Sequence, residues 1–385
     1  MSGPHVLGVL HLAEMSGPAR SLRPWLERAA RGGRLEVAVP GDGAAADLYR
    51  PLADVVELPY GALTLPRSPT AAARFAAAAR RQTRVLRTAL RRSRPDLVVV
   101  ATSTLPWALA AARLERIPAI AYVGEIVPTG PGAARAAGGR ALIGATRALA
   151  TEVVCCSHAA ARAFGGARTH VISPGVDPPV DGDGDAFRAR HGLGGRAPLA
   201  VAVGNISRRR GQDVLLEALA LARRELPDAG CALVGAPHPR AEDVAFEHEL
   251  RGLAARLGVE RAVAFTGYVD DVADAYAAAD VVVNPIRGAE GLGRAALEAL
   301  AAGRPVVASR VGGVSEALRD GRDALLVEPG DPDALAAALV RLTREPGLAE
   351  RIVRSGGEHV RDTYAIARGA EAFAALASSA TAHAE

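Results

Sequence analysis

Short unbroken apolar runs, separated by Ala- and Arg-rich stretches with helical spacing, restrict the fold more than any other feature of this chain. The first half holds Val6–Leu10, Leu35–Val39, Leu97–Val100, Ala119–Val123 and Val153–Cys156. The second half holds Leu199–Val203, Cys231–Val234, Ala262–Phe265, Val281–Val283 and Pro305–Ala308. A strand with one face in water alternates apolar and polar residues, whereas a strand covered on both faces is apolar throughout. Parallel sheets show the second pattern, because their crossover helices cover both faces. The expected class is therefore α/β.

A chain of 385 residues has room for two domains of ordinary size. Residues 177–198, rich in Gly, Pro and Asp, read as a linker. That spacing predicts an N-terminal domain over 1–176, the linker, and a second domain over 199–364. The segment from about 365 to 385 is helical in composition and is expected to pack back on the first domain. Doubly wound sheets bind ligands outside the carboxyl ends of their strands, so a central cleft faced by both domains is the expected site.

All 46 basic residues are arginine. Without lysine, a pyridoxal phosphate Schiff base and a Walker A loop are both excluded. A net charge of +4 and an aromatic content of 4% give no sign of a nucleic-acid partner. No apolar run approaches the roughly 20 residues that span a bilayer. Cys155, Cys156 and Cys231 have neither disulfide-framework nor zinc spacing and read as buried thiols in a reducing compartment. The N-terminus runs straight into a strand pattern without a leader, which points to the cytoplasm. Within Ala71–Arg94, Arg80, Arg84, Arg87 and Arg91 fall on one helical face. This is an ordinary solvated face or a peripheral contact with anionic lipid at the inner membrane face.

The chemistry concentrates where the Val281–Val283 run enters a loop with Glu290, Gly291 and Gly293, followed by a helix carrying Glu298. Glycines at a helix N-terminus let a ligand reach the backbone. The unpaired amides and the helix dipole there favour a phosphate or diphosphate. Carboxylates before and within that helix are placed to hold hydroxyl groups on either side of it.

The stretch EGLGRAALEALAAGRPVVAS resembles the E-x7-E region of the retaining, nucleotide-sugar-dependent glycosyltransferases of family 4, also called group 1. Their architecture, GT-B, is two Rossmann-like doubly wound domains facing a central cleft. The likeness extends to AVGNISRRRGQDVLLEALALARRELPDAGCALVGAP, VAFTGYVDDVADAYAAADVVVNP, CCSHAAARAF and VISPGVD, and to Ser16–Arg20 after the first strand. It implies a hexosyltransferase that uses a nucleoside diphosphate sugar, UDP-linked first and GDP-mannose next, with no other cofactor and no metal. The acceptor would be a hydroxyl of a glycan, lipid or small metabolite.

Carried over residue by residue, Glu298 would hold the ribose hydroxyls and Glu290 the donor sugar. Gly291, Leu292 and Gly293 would receive the sugar and diphosphate through their amides, and Gly17 would let its loop close over the diphosphate. Tyr268 and Val269 would lie near the base, while Arg20 and Glu125 would face the acceptor. The family's G-R-x4-K-G becomes Gly204-Asn205-Ile206-Ser207-Arg208-Arg209-Arg210-Gly211. Arg210 then stands for the lysine, and Arg208 or Arg209 must supply the charge that Asn205 lacks. Many relatives carry a histidine near the scissile bond, often followed by Glu; here the residues are Gly124-Glu125, with His11 the nearest substitute. Competing readings are a nucleotide-sugar epimerase or hydrolase and a non-catalytic partner subunit on the same fold. A dehydrogenase is disfavoured because no G-x-G-x-x-G follows the first strand.

Overall fold

A computed structural model describes residues 3–61, 69–129, 133–178, 181–269 and 271–382. Linker residues 179–180 and the final three residues of the expected C-terminal helix lie outside the described residues. The chain divides into two compact units, Met1–Gly175 with Ile366–Glu385, and Val176–Ala365.

The first unit is built on seven strands: β1 His5–Val9, β2 Arg34–Val39, β3 Asp54–Glu57, β4 Leu97–Val100, β5 Ala119–Val123, β6 Glu152–Cys155 and β7 Thr169–Val171. Their order is β3-β2-β1-β4-β5-β6-β7, and every pairing is parallel. The central strands β4 and β5 are buried at every position, as two-faced burial requires. Ser16 caps the helix Gly17–Ala29, its hydroxyl accepting from the Ala19 amide at 3.3 Å, and Pro18 occupies the first turn.

The final helix, Ile366–Ala382, packs on Gly17–Ala29. Phe373 stacks on Trp25 with ring centroids 4.8 Å apart, and Trp25 meets Tyr122 edge-on at 5.4 Å. Gly369 permits this approach, because a Cβ there would collide with the Ser173 carbonyl and lie 3.1 Å from Trp25 Nε1. In the helix Pro69–Ser93, Arg87 and Arg91 both pair with Glu115, at 2.6 and 3.0 Å. The four-arginine face is therefore half engaged within the fold.

The second unit carries β8 Leu199–Val203, β9 Gly230–Val234, β10 Val263–Gly267, β11 Val281–Asn284, β12 Val306–Ser309 and β13 Leu325–Val327. They form a second all-parallel sheet in the order β10-β9-β8-β11-β12-β13. This is the doubly wound order, with its reversal between β8 and β11. The segment read as linker, 177–198, falls within this unit. The helix Gly184–Arg190 packs on Ala273–Ala278, and Arg188 donates to the Ala278 carbonyl at 2.7 Å. Asp183 caps that helix through the Ala186 amide, and Asp331 caps Pro332–Arg344 in the same way. The Asp-x-Asp spacings at 181–183 and 331–333 thus each place a helix cap. No described helix is long and apolar enough to cross a membrane.

Candidate functional site

Because all six strands of the second sheet run the same way, their following loops gather at one edge. Asn205–Arg210 follow β8, Tyr268 and Val269 follow β10, and Arg287–Gly293 follow β11. The loops after β8 and β11 flank the strand-order reversal, where a doubly wound sheet opens a crevice. They are joined directly: the Arg287 amide donates to the Arg209 carbonyl at 3.0 Å, and Arg287 makes a two-pronged pair with Asp213 at 2.8 and 3.2 Å.

Arg208–Arg210 form a single 3₁₀ turn. Arg208 turns toward Glu249, at 2.6 Å, with its guanidinium 4.9 Å from the Phe246 ring centroid. Arg209 donates to Glu290 Oε2 at 2.7 Å, and Arg210 lies 3.7 Å from the same oxygen. Of the two arginines able to offset the neutral Asn205, Arg209 is the one placed beside Glu290. Arg210 is packed against Gly204, and its Nε is buried without a hydrogen-bond partner. Burial pushes its guanidinium below the ordinary arginine value, with Glu290 opposing the shift; the group stays cationic at neutral pH. Gln212 Oε1 and Asn284 Nδ2, on the adjoining helix start and strand end, are likewise buried without partners. Buried polar atoms are satisfied in most folds, so three orphans around one crevice mark a place for polar ligand atoms or water.

Gly293 (φ +81°) opens the helix Arg294–Ala301 from a left-handed conformation. A Cβ there would lie 2.5 Å from Val314 Cγ2. The Gly313 amide donates to the Glu290 carbonyl at 2.9 Å, fixing the loop from behind. Gly291, Leu292 and Gly293 are all buried at this helix start, and Glu290 is 14% exposed. Glu298, one turn into the helix, accepts from Arg294 at 2.9 Å and from the Tyr276 hydroxyl at 3.0 Å. Tyr268 is exposed. Tyr276 was not singled out in the sequence, because a tyrosine in an alanine-rich helix reads as packing.

In the first unit, Glu125 follows β5. Its Oε1 accepts from Thr102 Oγ1 at 2.8 Å, Ser103 Oγ at 2.6 Å and the Ser103 amide at 3.1 Å. Thr102 and Ser103 carry no sequence signal for this role, because the contact spans the β4 and β5 loops. At Gly124 a Cβ would sit 3.1 Å from the Tyr122 ring, so a histidine there would press on that ring. Arg20 is exposed. Gly17 is exposed at its helix start. His11 is held neutral, its pKa pushed down to about 4 by burial against a small opposing effect of Glu14. Its Nδ1 is buried without a partner. The three cysteines are buried free thiols, and burial raises Cys155 and Cys231 to about 12. No group of three metal-ligating side chains occurs among the described residues.

Residues 21–179 match the family model described as Glycosyltransferase Family 4, and residues 197–345 the model described as Glycosyl transferases group 1. A D-inositol 3-phosphate glycosyltransferase of Streptomyces avermitilis is 38% identical over 197 residues, covering 49% of this chain and 42% of that protein. A GDP-mannose-dependent alpha-(1-6)-phosphatidylinositol monomannoside mannosyltransferase of Mycolicibacterium smegmatis is 36% identical over 217 residues, covering 53% of this chain and 55% of that one. The matched stretches thus span about half the length of these curated relatives. Among solved structures, Anabaena HepE in complex with UDP and glucose superposes with a TM-score of 0.83 at 21% identity, over 98% of this chain and 100% of that chain. Sucrose-phosphate synthase from Thermosynechococcus elongatus gives 0.82 at 22% identity, over 98% of this chain and 100% of that chain. The fold is GT-B, and with one family model on each unit in chain order, the chain belongs to the family 4, group 1 glycosyltransferases.

Proposed function

We propose that this chain transfers a sugar from a nucleoside diphosphate donor to an acceptor hydroxyl, with retention at the anomeric carbon. The observation that carries the reading is the half-buried Arg210, with a buried and unpartnered Nε, beside Arg209 and Glu290 near the start of a helix. Such a cation and the helix amides would meet the diphosphate as negative charge develops on it. Arg209 supplies the second charge in place of the arginine that Asn205 replaces, which speaks against a merely non-catalytic subunit. Retention would follow if the departing phosphate oxygen takes the proton of the incoming hydroxyl on the same face. The protein's part is then positioning and electrostatics.

Family membership supports UDP-sugars as the first donor to test. GDP-mannose comes next, and the mycobacterial relative is named for its dependence on it. The acceptor is a hydroxyl of a carbohydrate, a lipid-linked glycan or a small polyol, with Glu125 and Arg20 as its contacts. An epimerase or hydrolase would consume the donor equally well without acceptor, which product analysis separates. A thermal-shift panel of nucleoside diphosphates and their sugar conjugates should single out one base, because a ligand bound only by the folded state raises the melting temperature with concentration.

Glu298→Ala is expected to raise the donor dissociation constant roughly 10- to 100-fold, the worth of hydrogen bonds to a charged group. Glu290→Ala should instead mainly lower turnover. Unchanged kinetics in both variants would sink the assignment. Peripheral contact with anionic membrane stands second, carried by Arg80 and Arg84, since Arg87 and Arg91 share Glu115. Vesicle flotation that depends on anionic lipid and is lost in the Arg80→Ala/Arg84→Ala double variant would support it; flotation unchanged in that variant would remove it.

A further inference from the structure

Glu298 is held from both sides before any ligand arrives. Arg294, one helical turn earlier, donates to Oε1 at 2.9 Å, and the Tyr276 hydroxyl reaches Oε2 at 3.0 Å from the helix Ala273–Ala278. Tyr276 is buried, while Glu298 keeps 24% of its side chain exposed. The phenol has one proton and two acceptors in range, Glu298 Oε2 and the Ala295 carbonyl at 3.3 Å. The shorter, charge-assisted contact takes the proton. Burial, reinforced by Glu298, pushes the Tyr276 pKa well above that of an ordinary tyrosine, so the group is a neutral donor across the working pH range.

Each carboxylate oxygen can accept two hydrogen bonds, and one position on each is already filled from within the protein. One remains on each oxygen, which is the complement of a vicinal diol that presents two hydroxyl donors side by side. A carboxylate free to rotate would satisfy one hydroxyl as easily as two. A clamped one rewards the pair.

We propose that Tyr276, with Arg294, is a positioning residue that fixes the Glu298 carboxylate to read a cis-diol, so that the donor site selects ribonucleotides over 2′-deoxyribonucleotides. The proposal rests on the reading of Glu298 as the ribose contact. Tyr276 does not touch the nucleotide; it acts by removing rotational freedom from the group that does, so that both hydroxyl contacts form at a smaller entropic cost.

The test is calorimetric titration of the full chain with UDP, 2′-deoxy-UDP, GDP and 2′-deoxy-GDP. The wild type is expected to prefer the ribo form of its cognate base about tenfold or more, the worth of one hydrogen bond to a charged group. Tyr276→Phe should lose most of that preference by weakening the ribo form, with deoxy binding within about twofold of wild type. Equal loss for both forms, or a ribo preference fully kept, would overturn the proposal. Should Tyr276→Phe fail to fold, Arg294→Met tests the same clamp from the other oxygen. A reduced preference is expected there, and an intact one again overturns it. Glu298→Ala separates the two levels of the argument. If the wild type prefers the ribo form and Glu298→Ala abolishes the preference, the ribose reading stands whatever Tyr276→Phe does. If the wild type shows no preference, both the ribose reading and this proposal fall.

Discussion

Replacing Arg210 by methionine is expected to lower turnover about 100- to 1000-fold while leaving the melting temperature unchanged or slightly raised. The two effects have one cause. Arg210 is a half-buried cation beside Glu290, and its Nε is buried with no hydrogen-bond partner. In the resting protein that arrangement is mildly unfavourable, because a half-buried charge with an unpartnered Nε loses hydration that a 3.7 Å neighbour only partly restores. In the proposed transfer it would become favourable as the diphosphate departs, because a fixed cation in a sheltered site needs no reorganisation as charge develops. Loss of one such group from an anion-stabilising site typically costs about 100- to 1000-fold. Methionine fills similar volume without the charge. Glu290 is not orphaned by the change, since Arg209 stays 2.7 Å from it. Steady-state kinetics and a thermal melt on the same preparation decide the matter. Activity within about tenfold of wild type would remove Arg210 from the mechanism. A marked fall in melting temperature would make it a structural residue.

Phe373→Ala is expected to destabilise the first unit by about 3–5 kcal/mol, the range for deleting a buried phenylalanine. Phe373 is fully buried and lies stacked on Trp25, itself completely buried in the helix Gly17–Ala29. Residues far apart in the chain therefore share one core, and the last helix completes the first unit. Trp25 is one of two tryptophans, so a red shift in emission with an earlier melt would report its exposure. The nucleotide binding proposed for the second unit, Val176–Ala365, should survive below that melt. The Arg28–Glu371 pair bridges the same two helices at 2.7 Å but sits in solvent, and its removal should matter far less. A Phe373→Ala melt equal to wild type would mean that the last helix is only loosely docked.

The buried strands were legible because their signal is local: β4, β5, β8 and β9 are short apolar runs of the kind a covered parallel strand shows. The edge strands β3, β7 and β13 escaped the reading. Asp54–Glu57 and Thr169–Val171 are half in water, and Leu325–Val327 is only three residues long, so neither burial nor length distinguishes them in the sequence. The loop from Glu290 to Gly293 and the helix behind it were equally legible, since a glycine-bearing helix start after a buried strand is a contiguous pattern. The clamp on Glu298 was not, because Tyr276 and Glu298 meet only when their two helices pack. The same holds for Thr102 and Ser103 on Glu125, which lie on loops after different strands.

By itself, the sequence determined two parallel α/β layers, a glycine-bearing helix start of the kind that favours phosphate and three adjacent arginines. Only the tertiary structure decided what each arginine does. A 3₁₀ turn has three residues per revolution, so consecutive side chains diverge by about 120°. Arg208 is sent out to Glu249 and Phe246, Arg209 across to Glu290, and Arg210 in against Gly204. Three identical residues in a row carry no local information that tells them apart. Their directions come from how the turn docks on the loop after β11, and that docking is a property of the folded sheet.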